Sequence, residues 1–122
     1  LPMALPVNTP SNEVIVHFPQ MADVSTAGSV RNACPVRGNL VRAYSCIGGA
    51  ITSADCTWTV EVNDVAVTGT ATIAVTGSAA GVVDSVDLTG AVGVNQGDTL
   101  EIVSGGESSS TATGDFLVVI RT

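Results

Sequence analysis

The segment NLVRAYSCIGGAITSADCTWTVEV, residues 39–62, carries the strongest fold signal in the chain. In its second half Trp58, Val60 and Val62 alternate with polar residues, which is the period-2 pattern of a strand with one buried face. Its first half, residues 40–47, is apolar on both faces, as in a central strand. We therefore expect a long hairpin with a broad loop at residues 48–55, in which Trp58 is the largest core side chain.

Two cross-strand pairs follow if this hairpin is symmetric about Ile51. Tyr44 then lies beside Trp58, and an aromatic pair of this kind helps to hold the register. Cys46 then lies beside Cys56, which makes these two residues the candidate disulfide. The chain has three cysteines, an odd number, so the alternatives are one bridge with one free thiol, a bridge between chains, or three buried thiols acting as small apolar residues.

The rest of the chain is typical of an all-β protein. Valine, threonine, alanine, glycine and serine dominate, and no stretch has helical spacing of apolar residues. Turn signals recur at intervals of about 8 to 12 residues, the spacing of a β-sandwich or barrel. We predict a single β-sandwich, jelly-roll or Ig-like, of eight or nine short strands. The expected strands outside the hairpin lie at residues 13–18, 29–36, 65–68, 70–75, 82–88, 99–104 and 115–121. Asn63 and Asp64 are a turn signal, so residues 56–68 are expected to form a second hairpin, which Gly69 ends.

Three segments carry more specific expectations. Proline at position 35 interrupts the second strand, which favours an edge position for it. The last strand, DFLVVIR at residues 115–121, is apolar on both faces and is expected to be central and covered on both sides. Residues 104–114, SGGESSSTATG, are expected to form a flexible polar loop.

Residues 1–12, LPMALPVNTPSN, are expected to form an extended N-terminal arm, with residues 13–122 forming the sandwich domain. The segment has three prolines and no charged side chain, and proline favours extended backbone. Fully extended, it reaches roughly 40 Å. Because an apolar arm gains by lying on a protein surface, we take Leu1, Met3, Leu5 and Val7 as the candidate contacts with a shell or a neighbouring subunit.

The charge balance excludes several classes of partner. The chain has no lysine, four arginines and eleven acidic residues, which give a formal charge of −7. Nucleic-acid binding requires clustered cations, so we expect no nucleic-acid partner. No apolar run approaches the roughly 18 to 20 residues of a transmembrane helix, so we expect no membrane partner.

The sequence offers little for catalysis. Nucleophilic catalysis needs a nucleophile, a base and an orienting group, yet His17 is the single histidine and lies in a strand where a structural role is expected. The cysteines and this histidine lack the spacing of a zinc site, and the acidic residues lack the spacing of a calcium loop. We expect a protein that is not an enzyme and that uses no cofactor and no metal.

Several segments, in order, carry a resemblance to a known family. They are ALPVNTP at residues 4–10, PVRGNLVRAYSCIGGAIT at 35–52, TVEVNDVAVTGTATIAVTGSAAGVVDS at 59–85, VNQGDTLEIVSGG at 94–106 and the final VVIRT. In these segments the chain resembles the small capsid decoration (cement) proteins of tailed bacteriophages. Two features depart from that pattern: three cysteines are more than such a module needs, and Leu1 and Pro2 precede Met3.

The resemblance implies a structural virion protein on the outer surface of an icosahedral phage head. Such a protein stabilises contacts between major capsid subunits, and it commonly forms homo-oligomers, with a trimer favoured. Its expected partners are the major capsid protein and other copies of itself. The alternative interpretation is a receptor- or carbohydrate-binding module of a phage fibre or adhesin, with binding at loops 48–55 and 104–114.

Overall fold

The structure, a computed structural model, describes residues 12–89 and 92–122, and this part of the chain contains nine strands and no helix. The strands are β1 (Glu13–His17), β2 (Gly28–Ala33), β3 (Gly38–Ile47), β4 (Cys56–Val62), β5 (Val65–Ile73), β6 (Val83–Asp87), β7 (Gly93–Val94), β8 (Thr99–Ser104) and β9 (Gly114–Arg121).

The strands form two antiparallel sheets. One has the order β1-β9-β3-β6, with the short β7 pairing with the start of β3, and the other has the order β2-β8-β4-β5. The chain passes repeatedly from one sheet to the other, and β7 is an addition to two four-stranded layers. This order matches the two-sheet jelly roll, one of the two sandwich types expected from the sequence. The prediction of an all-β sandwich is confirmed.

The core lies between the inner faces of the two sheets. Trp58 on β4 is 1% exposed and meets Phe116 on β9 with ring centroids 5.1 Å apart and an interplanar angle of 73°. This edge-to-face contact joins the two layers near the middle of the core. The other fully buried large side chains are Leu40, Ile47, Ile73, Leu100, Ile102, Ile120, Val24, Val60 and Val118.

The long hairpin predicted over residues 39–62 is wrong. β3 pairs with β9, β6 and β7, whereas β4 pairs with β5 and β8 in the other sheet. The eight-residue connection is long enough to cross the gap of about 10 Å between packed sheets. It also buries Ile51 at the end of the core, and the Ile51 backbone N–H donates to Ser78 Oγ at 3.0 Å. Burial of the Ile51 side chain stabilises this connection between the sheets relative to a hairpin within one sheet.

The pairs derived from that hairpin are therefore wrong as well. Tyr44 is on the outer face of its sheet, while Trp58 faces the core between Ala71 and Ser104 of the neighbouring strands. The candidate disulfide between Cys46 and Cys56 is not formed, because these residues belong to different sheets and both are free thiols.

Other local expectations have mixed outcomes. The hairpin after β4 is confirmed, and its turn residues Asn63 and Asp64 have φ values of 50° and 67°, as a type I′ turn requires. Gly69 does not end a strand: β5 runs through it at a φ of 129°. The pairing of β5 with β4 shifts register opposite this region, between Thr59 and Glu61. β2 is an edge strand, as expected, and ends before Pro35.

The expected N-terminal arm falls almost entirely outside the described residues. Leu1, Met3, Leu5 and Val7, the candidate contacts of that arm, are not among residues 12–89 and 92–122. The arm and the division of the chain at residue 12 therefore stay predictions.

One polar pair lies on the inner side of the five-stranded sheet. Ser45 on β3 is opposite Asp84 on β6, and Ser45 Oγ and Asp84 Oδ2 are both buried without a hydrogen-bond partner. Burial raises the pKa of the Asp84 carboxyl, because the charged form loses hydration that the protein does not replace. Asp84 is therefore a local source of instability in the folded protein at neutral pH.

We expect Trp58→Ala to lower the free energy of unfolding by about 3–5 kcal/mol, because it leaves a cavity between the sheets and removes the contact with Phe116. Val65→Ala, at a side chain that is 69% exposed, should change stability by less than about 0.5 kcal/mol. Urea unfolding of both variants measures the difference. Similar losses in the two variants would contradict the assigned core.

We expect Asp84→Asn to raise the free energy of unfolding at pH 7 by about 1 kcal/mol. A raised pKa in the folded state means that the penalty is absent at low pH and grows as pH rises through that pKa. The gain should therefore disappear in urea unfolding near pH 3. Asp115→Asn, at an exposed carboxylate, is the matched control, and an equal gain from both substitutions would refute the prediction.

Candidate functional site: the outer face of the five-stranded sheet

The outer face of the five-stranded sheet is built around alternate residues of β9. Phe116, Val118 and Ile120 are buried in the core, so Leu117 and Val119 point to the opposite side. The register places Val119 opposite Ile15 on β1, and Leu117 opposite Tyr44 on β3. An apolar strip therefore crosses three adjacent strands.

This face contains an open groove of about 510 Å³. β6 contributes Val83, which lies opposite Cys46 on β3. Residues from four strands line the groove, and they include Glu13, Ile15, His17, Arg42, Tyr44, Cys46, Val83, Asp115, Leu117 and Val119. We call this surface the outer groove.

Charged pairs border the outer groove at one end. Arg121 Nη2 donates to Glu13 Oε2 at 2.9 Å, and Arg42 Nε donates to Asp87 Oδ1 at 2.9 Å. A further hydrogen bond of 3.3 Å runs from Arg42 Nη1 to the hydroxyl of Tyr44 and orients that ring. These two ion pairs neutralise the charges at this end of the groove, whereas the Asp115 carboxylate, which also lines the groove, is in none of the ion pairs of the described residues.

The outer groove exposes apolar side chains from the two edge strands of its sheet, whereas Val119 on the central strand is buried, at 8% exposed. Within residues 12–89 and 92–122, the large apolar side chains with more than half of their surface exposed are Ile15 at 55%, Val65 at 69% and Val83 at 59%. Two of these three line the outer groove. Contiguous apolar surface rimmed by polar groups is typical of a protein-binding site.

β9 is central, between β1 and β3, as expected, and its inner face is buried. On its outer face Val119 is buried, at 8% exposed, and Leu117 is half-buried, so the expected cover on both faces is found at Val119 and only in part at Leu117. The pattern FLVVI, which is apolar at every position, indicated the site, but it does not show that the outer face lies in an open groove.

The three thiols have different environments. Cys34 and Cys56 are buried in the core, and burial raises the pKa of the Cys56 thiol, which makes it a poor nucleophile. The Cys34 thiol donates to the backbone carbonyl of Val36 at 3.0 Å. Cys46 is half-buried and lines the outer groove, so it is the thiol that reagents can reach.

The two loops considered for binding from the sequence, residues 48–55 and 104–114, meet at one end of the sandwich. Ser109 N–H donates to the Thr52 carbonyl at 3.0 Å, and Ser108 Oγ donates to the same oxygen. The hydroxyls of Thr52 and Ser110 are 2.8 Å apart, and Ser53 Oγ donates to Ser109 Oγ at 2.8 Å. The expected flexible loop is thus tied down along its length, and its hydroxyls bond within the protein.

Two carboxylates hold this loop end in place. Glu107 accepts hydrogen bonds from the N–H and the hydroxyl of Thr57, at 2.9 and 2.6 Å. Asp23 Oδ1 accepts from the Ser25 hydroxyl at 2.6 Å, from the Ser25 N–H at 2.9 Å and from the Ala112 N–H at 3.2 Å. These bonds lower the pKa of both carboxyls, because they stabilise the charged form.

The described segments contain one group of carboxylates that could hold a metal ion, and they place the histidine at the outer groove. His17 lies on the outer face at the side of the groove. Glu61, Asp64 and Glu101 bring carboxylate oxygens within 4.8 Å of one another. Glu101 is buried, however, and its charge is paired with Arg31 at 3.1 Å. Residues 12–89 and 92–122 also include no helix long and apolar enough to cross a membrane.

No family model matches the sequence, and no curated protein matches it. In structure, the chain is similar to the catalytic unit of a thermostable GH87 alpha-1,3-glucanase from Streptomyces thermodiastaticus, with a TM-score of 0.55 and 12% identity, over 92% of this chain and 26% of that one. It is also similar to a CocE/NonD family hydrolase from Staphylococcus aureus, with a TM-score of 0.52 and 12% identity, over 92% of this chain and 33% of the hydrolase.

Eiger TNF from S. frugiperda matches with a TM-score of 0.46 and 10% identity, over 91% of this chain and 93% of the other. The chain spans well under half of the length of the two enzymes. At 12% identity their likeness to this chain concerns the sandwich fold alone.

We expect acid to loosen the loop end. A carboxyl with a lowered folded pKa contributes stability above its unfolded pKa, near 3.8 for Asp23 and 4.5 for Glu107, and this stability is lost as pH falls through the folded value. Glu107→Gln should cost at most about 1 kcal/mol at pH 7, because the site is exposed. It should also flatten the decline of stability below pH 4.5, measured by urea unfolding. An unchanged pH profile would contradict the anchoring role.

Proposed function

We propose that this chain is a non-enzymatic structural protein bound to the outer surface of an icosahedral phage head, where it stabilises contacts between major capsid subunits. The resemblance of its segments to capsid decoration proteins supports the proposal from the sequence. The outer groove supports it from the structure, because a protein that functions within an assembled layer needs a surface for other chains.

The observation that carries the proposal is the open apolar groove on this face, where Ile15 and Val83 are exposed and Leu117 is half-buried. Sites for small molecules combine an apolar pocket with several converging polar groups. In the outer groove the nearby arginines, Arg42 and Arg121, are instead held in ion pairs at the rim. An open apolar groove bordered at one end by paired charges suits contact with another polypeptide.

The surface charge fits the same role. With a formal charge of −7, the protein resists non-specific association, so attachment has to come from a local apolar contact. The alternative, a receptor- or carbohydrate-binding module acting through loops 48–55 and 104–114, has weaker support. The hydroxyls at that end already bond to one another and to Thr52.

We expect the purified protein to bind phage heads that lack it, at a ratio to the major capsid protein of between one to one and one to a few. Leu117→Lys, which places a charge on the floor of the outer groove, should weaken binding about tenfold or more. Thr72→Lys, on an exposed position of the opposite sheet, is the matched control and should bind normally. Density-gradient co-sedimentation with quantification of both proteins measures the ratio.

A ratio of only a few copies per head would favour a fibre or receptor-binding part instead. No co-sedimentation of the wild-type chain with any head fraction would overturn the proposal.

A further inference from the structure

We propose that residues 1–7 of one copy occupy the outer groove of a second copy, so that neighbouring copies exchange their N-terminal segments. The inference rests on the proposed function for its setting on a shell, where copies lie side by side. The contact itself involves only this chain, so it can be tested in solution without phage particles.

Residues 1–7 have the alternation of larger apolar side chains expected of a layer that covers the outer groove. Leu1, Met3, Leu5 and Val7 alternate with Pro2, Ala4 and Pro6. In extended backbone the four larger side chains therefore share one side. Residues 1–12 carry no charged side chain, so the segment brings no carboxylate into the groove of an already acidic partner.

The dimensions agree. Seven extended residues span about 23 Å, and the stretch of β9 that lines the groove, residues 115–119, spans about 17 Å at 3.3 Å per residue. The segment is therefore long enough to cross the groove along β9 in a single pass.

The prolines favour contact through the face of the sheet rather than its edge. In a strand added beside β1, Pro2 and Pro6 could not donate backbone hydrogen bonds, so both would have to lie at positions whose N–H faces away from the ladder. Side-chain packing on the floor of the outer groove has no such requirement. The proposed contact is therefore an apolar layer over the face, not a tenth strand in the ladder.

The position of Asn12 at the end of the sheet favours the groove of a second copy over the chain's own groove. The Asn12 carbonyl accepts hydrogen bonds from Thr122 N–H at 2.7 Å and from Thr122 Oγ1 at 3.0 Å. Asn12 therefore continues the β1–β9 pairing one step beyond Glu13 and Arg121. Asn12, the first described residue, thus lies beyond the Glu13 end of β1, whereas the groove extends from Glu13 towards His17.

Covering its own groove would require the chain to reverse and rise over the face within residues 8–11. Continuing outward requires no reversal, and 11 extended residues reach about 36 Å. The segment and the groove are different surfaces, so the contact is heterologous and closes into a ring when the rotation between copies allows it.

Cys46 provides a direct test, because its thiol lines the groove. One tagged chain carries Leu5→Cys together with Cys46→Ser, and a second, untagged chain keeps the native Cys46. We expect oxidation of the mixture to join the two chains in a disulfide seen on a non-reducing gel. Met3→Cys in place of Leu5→Cys allows for a shift of register along the groove.

Two controls define the contact. Ala4→Cys, on the other side of the extended segment, should give at least about fivefold less cross-linked product. Replacing Cys46 by serine in the second chain as well should abolish the product. Equal yields from Ala4→Cys and Leu5→Cys, or a product that survives Cys46→Ser in both chains, would overturn the proposal.

The other occupants of the groove give distinct results. If the segment folds onto its own groove, a chain with Leu5→Cys and native Cys46 will form an internal bridge that runs as a monomer, and the mixed chains will not cross-link. If the major capsid protein fills the groove, no disulfide between the N-terminal segment and the groove will form in solution. The groove around Leu117 will then be covered only in protein that is bound to phage heads. Either result overturns arm exchange.

Self-association gives an independent measurement. Removal of residues 1–11 should weaken oligomer formation at least about tenfold in sedimentation velocity, and Leu117→Lys should do the same, while Thr72→Lys should not. An oligomer that survives both changes would refute the inference. The two proposals can fail separately. If copies of the chain cross-link but do not bind phage heads, arm exchange is supported and the proposed function is rejected.

Discussion

The structure depends on the position of β9, the last strand of the chain, between β1 and β3. Its inner side chains supply Phe116, Val118 and Ile120 to the core, where Phe116 meets Trp58 of the opposite sheet. Its backbone joins the first strand to the third. Both contacts link residues far apart in sequence, so the five-stranded sheet is complete only after β9 has paired with β1 and β3. The same strand supplies the floor of the outer groove.

A strand with apolar side chains on both faces places a constraint on the whole molecule. One face of β9 is buried by the second sheet, and the other lies in the outer groove, where Val119 is buried and Leu117 is half-buried. The loop end shows the opposite solution, because there the protein satisfies its own polar groups through Asp23, Glu107 and the serine hydroxyls. The sandwich therefore has one end held by hydrogen bonds and one face that carries an open apolar groove.

The site was only partly visible in the sequence. The apolar character of residues 115–121 and the alternation of Leu1, Met3, Leu5 and Val7 can both be read from the letters. That Ile15, Tyr44 and Leu117 share one surface depends on the register of three strands. Pairing registers between distant strands leave no local mark on the sequence, because the same alternation is compatible with several neighbours.

The sequence by itself determined the all-β class, the positions of most strands and the turn at Asn63 and Asp64, because side-chain period and turn chemistry are local properties. Only the tertiary structure decided which sheet each strand joins. Residues 39–62 show the difference. Both strands were correctly located, but the loop between them passes from one sheet to the other and does not close a hairpin. Two interactions between residues distant in sequence decided this: the burial of Ile51 at that crossing and the pairing of β3 with β9. They place Cys46 and Cys56 in different sheets and leave the outer groove open.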